Sequence, residues 1–366
     1  MLRKYVTNML IACCSILFSG MCIELGFRVY YDSWEWVNFT GVGKQYDRLR
    51  GVLVPGGDRP WILHERLGWI PEPGQSIIVP HWNDAHVTIL EHGIRSNGNA
   101  PTRDSDTQPQ GVIVAVGDSF TFGDEVSDHQ TWPAILETLI PYTVMNGGVF
   151  GYGMDQSFLR ATMLIKQYHP DMLIFSLIPQ DIHRCEFAVS YGIKKPYFRL
   201  TKAGEVVLEN FPVPPPASTP PRFDIVRQVF GYSLCCHRIL GTLFPTYWYT
   251  GRYNLRVHSD GDMVACVLMH ALAELSAQTA THILVLLQYD TLDEPVYIKQ
   301  AEHLVRCVPE KLALLDLKPA LQAVRAQNAE EYARFFNGHM TERGNRFVAE
   351  QIALFLKTQN YGESPP

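Results

Sequence analysis

The sequence predicts an α/β fold built on a parallel five-stranded sheet, and two observations carry that expectation. From residue 111 onward, short apolar runs rich in β-branched residues alternate with longer stretches of helical spacing. Those runs are mostly apolar, as in strands covered on both faces, and strand–helix alternation argues for helices on both sides of the sheet. The first strand spans 111–117. Trp132, Ile135, Leu136 and Leu139 then give 130–139 a helical period. A short strand at 143–146, a helix at 156–168 and a strong apolar strand at 171–178 follow. Beyond them come a helix at 263–280, a strand at 282–287, a helix at 295–308, a strand at 312–317 and a closing helix at 341–357.

Two stretches break this rhythm. Residues 61–110 hold short segments separated by turns, read as small strands beside the main sheet. Residues 182–262 read as an insertion beside the site. Within it, Phe211-Pro212-Val213-Pro214-Pro215-Pro216 can form neither a helix nor a central strand and suggests an extended polyproline connection. Residues 24–60, broken by Gly41-Val42-Gly43 and Pro55-Gly56-Gly57, read as a connector.

A chain of 366 residues with 46% hydrophobic content is long enough for one large or two smaller domains. Its formal net charge of −6 gives no sign of nucleic-acid binding. No charged residue occurs from Tyr5 to Ile23, a run of about 19 residues, just enough to span a bilayer as a helix. Thr7, Asn8, Ser15 and Ser19 weaken the span, so a cleaved signal peptide is the rival reading. We take residues 1–23 as an uncleaved transmembrane anchor. Arg3 and Lys4 ahead of it suggest a cytoplasmic N-terminus, which would put the rest of the chain outside the cytoplasm. Cys13, Cys14 and Cys22 lie in the span. Of the five others, Cys185, Cys235, Cys236, Cys266 and Cys307, an odd number outside the cytoplasm leaves at least one unpaired. Cys266 and Cys307 fall in helix-like stretches and read as buried packing residues. The chain has no Cys-x-x-Cys or His-x-x-x-His spacing, so a structural zinc site is not expected.

The chemistry concentrates at strand ends. Gly117-Asp118-Ser119-Phe120-Thr121-Phe122-Gly123 follows the first strand and puts Ser119 where open α/β sheets place ligands. An ordinary capped turn would also use Asp and Ser. Thr121 stands where the nucleophile elbow of α/β-hydrolases needs Gly. Asn146-Gly147-Gly148-Val149-Phe150-Gly151 follows the second strand, Ile178-Pro179-Gln180-Asp181 the third, and Asn337-Gly338-His339 precedes the closing helix. No dinucleotide fingerprint is present and no cofactor is expected.

These four stretches, in this order over roughly residues 111–356, resemble the blocks of the SGNH, or GDSL-type, hydrolases. His92-Gly93-Ile94-Arg95, Thr131-Trp132-Pro133, Gly151 to Gln156 and Lys195-Pro196-Tyr197-Phe198 resemble its membrane-anchored bacterial branch, similar to the alginate O-acetylation type. The resemblance implies a three-layer, flavodoxin-like α/β/α sandwich and ester hydrolysis through an acyl-enzyme. Ser119 would be the nucleophile and His339 its base, with the Ser119 and Gly151 backbone N–H groups and the Gln180 amide holding the oxyanion. The chain departs from the pattern twice. Gln180 stands in the Asn position of the third block, and Asn337 stands where this branch carries Asp; the alternative position, 336, is Phe. Asn337 can accept a hydrogen bond from the imidazole but cannot stabilise imidazolium by charge, so Asn337→Asp would be expected to raise kcat about tenfold. Asp316 and Glu342 are substitute acids that sequence alone does not place. The partner implied is an acylated small molecule or polysaccharide. An O-acetyltransferase of an exported polysaccharide and a non-catalytic protein of this fold are the rival readings.

Overall fold

The computed structural model describes residues 2–31, 34, 61–98, 109–191, 193–214, 225–244, 254–359 and 361. It divides into two compact units, residues 1–53 with 216–253 and residues 54–215 with 254–366.

The larger unit opens with two antiparallel pairs, β1 (Trp61–His64) with β2 (Gly68–Pro71) and β3 (Ser76–Val79) with β4 (Ala85–Thr88). The main sheet begins with β5 (Val112–Val116), β6 (Thr143–Asn146) and β7 (Met172–Leu177). The strands β8 (Phe187–Ser190), β9 (Ile193–Lys194), β10 (Tyr197–Leu200), β11 (Val206–Glu209) and β12 (Leu255–Arg256) form two small side sheets. The main sheet resumes with β13 (His282–Leu287) and β14 (Ala313–Asp316), and the hairpin β15 (Phe336–Asn337) and β16 (His339–Met340) comes last. Strand order is β14-β13-β7-β5-β6, and every neighbouring pair is parallel. The five expected strands are all present, with ends shifted by a residue at most.

Right-handed crossovers decide the layers. The chain steps one way from β5 to β6 and the other way from β6 over β5 to β7, β13 and β14. Helix Trp132–Leu139 therefore lies on one face and helices Met154–Tyr168, Gly261–Thr279 and Pro295–Cys307 on the other. The closing helix Glu342–Thr358 packs against Trp132–Leu139. Val114, Ala115, Val116, Leu173, Ile174, Phe175, Val285 and Leu286 are all buried, which is why these strands read as mostly apolar runs. The direction reverses between β5 and β7, and ligands bind at such a switch point, outside the carboxyl ends of the strands. Helices at Lys318–Gln327 and Ala329–Ala333 fill the gap before the last block and were not expected.

The smaller unit holds helix Leu2–Tyr30 and helices Ile225–Phe230 and Leu234–Leu243. Glu24 accepts hydrogen bonds from Ser233 Oγ and from the backbone N–H groups of Leu234 and Cys235, so its carboxylate satisfies the first turn of the last helix. A helix does form over the uncharged run, but among the described residues no helix is long and apolar enough to cross a membrane. The helix runs past residue 23, where the transmembrane anchor was expected to end. Thr7, Asn8, Ser15 and Ser19 dilute the run, and the helix continues unbroken through Glu24 and Arg28. The insertion expected at 182–262 is divided: β8 to β11 belong to the larger unit and 216–253 to the smaller. Phe211 to Pro214 lie outside helix and strand, while residues 215–224 and most of the connector 24–60 lie outside the described residues. Cys266 and Cys307, expected as buried packing residues, are partly exposed and form a disulfide between helices Gly261–Thr279 and Pro295–Cys307.

Candidate active site

Ser119 is presented by a sharp turn at the end of β5. A Cβ on Gly117 would lie 2.4 Å from Thr121 Oγ1 and 2.6 Å from the Ser176 carbonyl oxygen, so only glycine lets the turn pass β7. Asp118 caps the single helical turn Ser119–Phe122 by accepting from the Phe120 N–H at 2.9 Å. The second block packs directly on this turn. A Cβ on Gly148 would stand 2.3 Å from the Phe122 nitrogen, and Asn146 Nδ2 donates to the Phe122 carbonyl at 3.2 Å.

His339 sits on β16, brought back by the one-residue turn at Gly338, whose φ of +85° suits glycine. Its Nε2 is 3.1 Å from Ser119 Oγ. Its Nδ1 is 2.9 Å from Glu125 Oε1, and its backbone N–H donates to Glu125 Oε2 at 3.3 Å. The acid facing the imidazole is therefore Glu125, not the residue at 337. Asn337, expected opposite His339 Nδ1, is exposed, and the nitrogen it was to serve is occupied. Asp316 accepts from the Lys318 N–H and Glu342 from Gln130 Nε2, so neither substitute stands at the histidine. Asp124 adds a second carboxylate, its Oδ2 3.7 Å from His339 Nε2. Burial works to lower the His339 pKa, but the Glu125 hydrogen bond and the charges of Asp124, Glu125 and Asp118 outweigh it and hold the pKa above the ordinary value.

Glu125 is in the left-handed region, φ +71°, unusual for a residue with a side chain. Arg95 over-determines its loop. This buried guanidinium donates to the carbonyls of Phe122 at 2.9 Å, Gly123 at 2.5 Å and Val126 at 2.6 Å, and pairs with Asp128 at 3.0 Å. Gly338 completes the fit, since a Cβ there would lie 3.1 Å from both Glu125 carboxylate oxygens.

A second, half-buried arginine joins the other blocks. Arg184 donates to Asp118 Oδ2 at 3.2 Å, to the Tyr152 carbonyl at 3.1 Å and to Asp181 Oδ1 at 2.6 Å. Burial pushes both carboxyls up, Asp181 furthest because the Asp118 charge adds to it, and Arg184 pulls both back. Gly151 has φ +70°, and a Cβ on it would meet the Tyr191 ring at 2.1 Å. Gln180 Nε2 donates to Asp290 Oδ2, which uses one of its two amide protons and leaves the other for a ligand. Lys195 and Asp155, from two stretches already singled out in the sequence, form a buried ion pair. A cavity of about 300 Å³ opens beside His339, lined among others by Trp82, Asn83, Glu125, Gln130, Asn337 and Thr341.

Sequence reasoning missed Glu125, Arg95 and Arg184 as members of the site. The one available signal for Glu125 was the vacant acid position at 337 together with a carboxylate pair just after the first block.

No protein-family model matches the chain, and no curated protein does. Solved structures do. One is a lipolytic protein of the G-D-S-L family from Desulfitobacterium hafniense DCB-2, at 13% identity and TM-score 0.37 over 66% of this chain and 98% of that one. Another is the psychrotrophic esterase EstA from Pseudoalteromonas sp., at 11% identity and TM-score 0.39 over 68% and 98%. A third is a catalytic mutant of an acetylxylan esterase from Geobacillus stearothermophilus, at 12% identity and TM-score 0.39 over 70% and 99%. The chain is similar in fold to the SGNH, or GDSL-type, hydrolases. At these values the roles of its residues rest on its own blocks, strand order and hydrogen bonds.

Proposed function

We propose that this protein hydrolyses carboxylic esters through an acyl-enzyme on Ser119. The observation that carries the reading is the continuous relay Glu125 Oε1···Nδ1 His339 Nε2···Oγ Ser119. With Nδ1–H donating to Glu125, Nε2 is left as the acceptor that takes the Ser119 proton during attack. Glu125 then stabilises the imidazolium, which Asn337 would not. The Ser119 and Gly151 N–H groups and the second Gln180 amide proton are the donors for the tetrahedral oxyanion, each worth roughly 10²–10³ in rate. Water, activated by the same histidine, releases the acid.

The site also bears on the substrate. His339 must return its proton to the leaving alcohol, so the alcohol part belongs at Nε2, beside Ser119. The Tyr191 ring lies against Gly151, one of the proposed oxyanion donors, and favours a short acyl group such as acetyl. An acetylated polysaccharide is the substrate class we favour here. The Cys266–Cys307 disulfide fits an extracytoplasmic location. Transfer of the acyl group to a sugar hydroxyl instead of water is the second reading.

A fluorophosphonate probe tests the proposal. It should label the wild-type protein at one site and fail on Ser119→Ala, and p-nitrophenyl acetate should be turned over faster than the octanoate. Labelling that persists in Ser119→Ala would overturn the mechanism. Release of acetate only when a sugar acceptor is present would favour transfer.

A further inference from the structure

We propose that Cys266, His303 and Cys307 form a second site, a disulfide that on reduction becomes a thiolate–imidazole site for one thiophilic divalent ion such as Zn²⁺. Among the described residues this is the group of ligating side chains close enough to hold a metal, their ligand atoms all lying within 4.8 Å of one another. Two packed helices supply it. Cys266 comes from Gly261–Thr279, while His303 and Cys307, four residues apart on Pro295–Cys307, share one face. His303 Nε2 is 3.4 Å from Cys266 Sγ. A tetrahedral zinc with bonds of about 2.0–2.3 Å holds its ligand atoms roughly 3.4–3.8 Å apart. The imidazole therefore already stands at coordination distance from one sulfur, and only the two sulfurs must separate. The Cα–Cα distance of 5.1 Å lets a side-chain rotation of either cysteine do this without moving a helix. All three residues are partly exposed, so a reductant and an ion have access.

The step balances with a dithiol reductant of the thioredoxin class. It supplies two electrons and two protons, the Sγ–Sγ bond breaks, the reductant leaves as its own disulfide, and both cysteines become thiols. Metal binding then displaces two thiol protons to solvent, with neutral His303 as the third ligand and water as the fourth. Both states close the same loop, a sequence separation of 41 that includes β13 and the turn bearing Asp290, the partner of Gln180. The ion would keep that brace in place under conditions that remove the disulfide.

Cobalt titration of the full chain tests this. Oxidised protein should show no thiolate-to-cobalt charge-transfer band. Protein reduced with dithiothreitol and desalted without oxygen should bind one equivalent, show tetrahedral d–d bands, and lose them on addition of zinc. Cys266→Ser should abolish the bands. Cys235→Ser with Cys236→Ser should leave them. His303→Ala, which retains the disulfide and so the oxidised fold, should weaken binding at least about tenfold once reduced, no less than loss of an outer-shell partner costs. The proposal is overturned if reduced wild-type protein shows no band at one equivalent, if binding survives Cys266→Ser or is unchanged in His303→Ala, or if circular dichroism shows that reduction alone unfolds the chain.

Discussion

His339 is gripped on its two nitrogens by parts of the molecule that arise in different ways. On the Nε2 side, Ser119 is set by seven consecutive residues, Gly117 to Gly123, and by a neighbouring glycine block that lies on them. On the Nδ1 side, Glu125 is set from a distance. Arg95 draws the loop carbonyls inward, Gly338 leaves room for the carboxylate, and the backbone accepts a left-handed φ at Glu125. A nucleophile on a strand-end turn is written in local spacing. An acid held by a tertiary clamp is not, and it is free to move between positions provided it still reaches the same nitrogen.

The largest expected effect breaks the first grip. Ser119→Ala should cut kcat for p-nitrophenyl acetate by about 10⁴-fold or more, with the circular dichroism spectrum unchanged. A loss under tenfold would mean that the chemistry runs elsewhere.

Breaking the second grip should come next. Glu125→Gln keeps shape and removes charge, and kcat should fall by about 10³, short of the ~10⁴ known for the matching change in serine proteases, because Asp124 remains 3.7 Å from Nε2. It should also move the pH profile. The raised His339 pKa puts the rising limb of kcat/KM above the ordinary histidine value near 6.5, since the base works only when neutral. Removing Glu125 should shift that limb to lower pH. The same shift has a stability sign: a raised folded-state pKa contributes stability below the unfolded pKa, and that contribution is lost as pH rises through the folded one. A profile unmoved in Glu125→Gln would remove Glu125 from the relay.

This contrast also explains how much could be read from the chain. The strands were legible because both their faces are covered, so Val112–Val116 is apolar throughout and Met172–Leu177 apolar but for Ser176. Ser119, His339, Gly151 and Gln180 were legible as candidates because their stretches, beside predicted strands and the closing helix, resemble the SGNH blocks in order. Arg95 and Arg184 were not, since an inward-facing guanidinium has no periodic signature and its meaning lies in carbonyls brought together by folding. The disulfide was missed for a related reason: two cysteines on separate helices show no spacing motif, and only the packing of those helices brings them together.

Arg95→Met should have a smaller effect on rate and a larger one on stability. It leaves the buried Asp128 without its cation and several loop carbonyls without a donor, a loss of about 3–5 kcal/mol. The melting temperature should drop by several degrees, and the surviving folded protein should lose about tenfold in kcat as the Glu125 loop slackens. A lowered melting temperature with full activity would show that the loop holds its place without the clamp.

The smallest effect should come from Asn337→Asp, and it sharpens the comparison most. If position 337 were the damaged member of the relay, restoring a carboxylate would raise kcat about tenfold. The structure reverses that expectation. His339 Nδ1 has one proton to give, Glu125 takes it, and Asn337 is exposed at the rim of the same cavity. Asn337→Asp alone should therefore leave kcat within about twofold, the usual range for a surface change. In the Glu125→Gln background the Nδ1 proton has lost its anionic acceptor. Residue 337 pairs with His339 across a one-residue turn, and directly paired residues of a hairpin share a face. There, Asn337→Asp should recover about tenfold of what Glu125→Gln removed and move the pH limb back upward. A tenfold gain in the single mutant would mean that Glu125 does not serve the histidine, whereas no recovery in the double mutant would mean that only the clamped loop can deliver a carboxylate to this nitrogen.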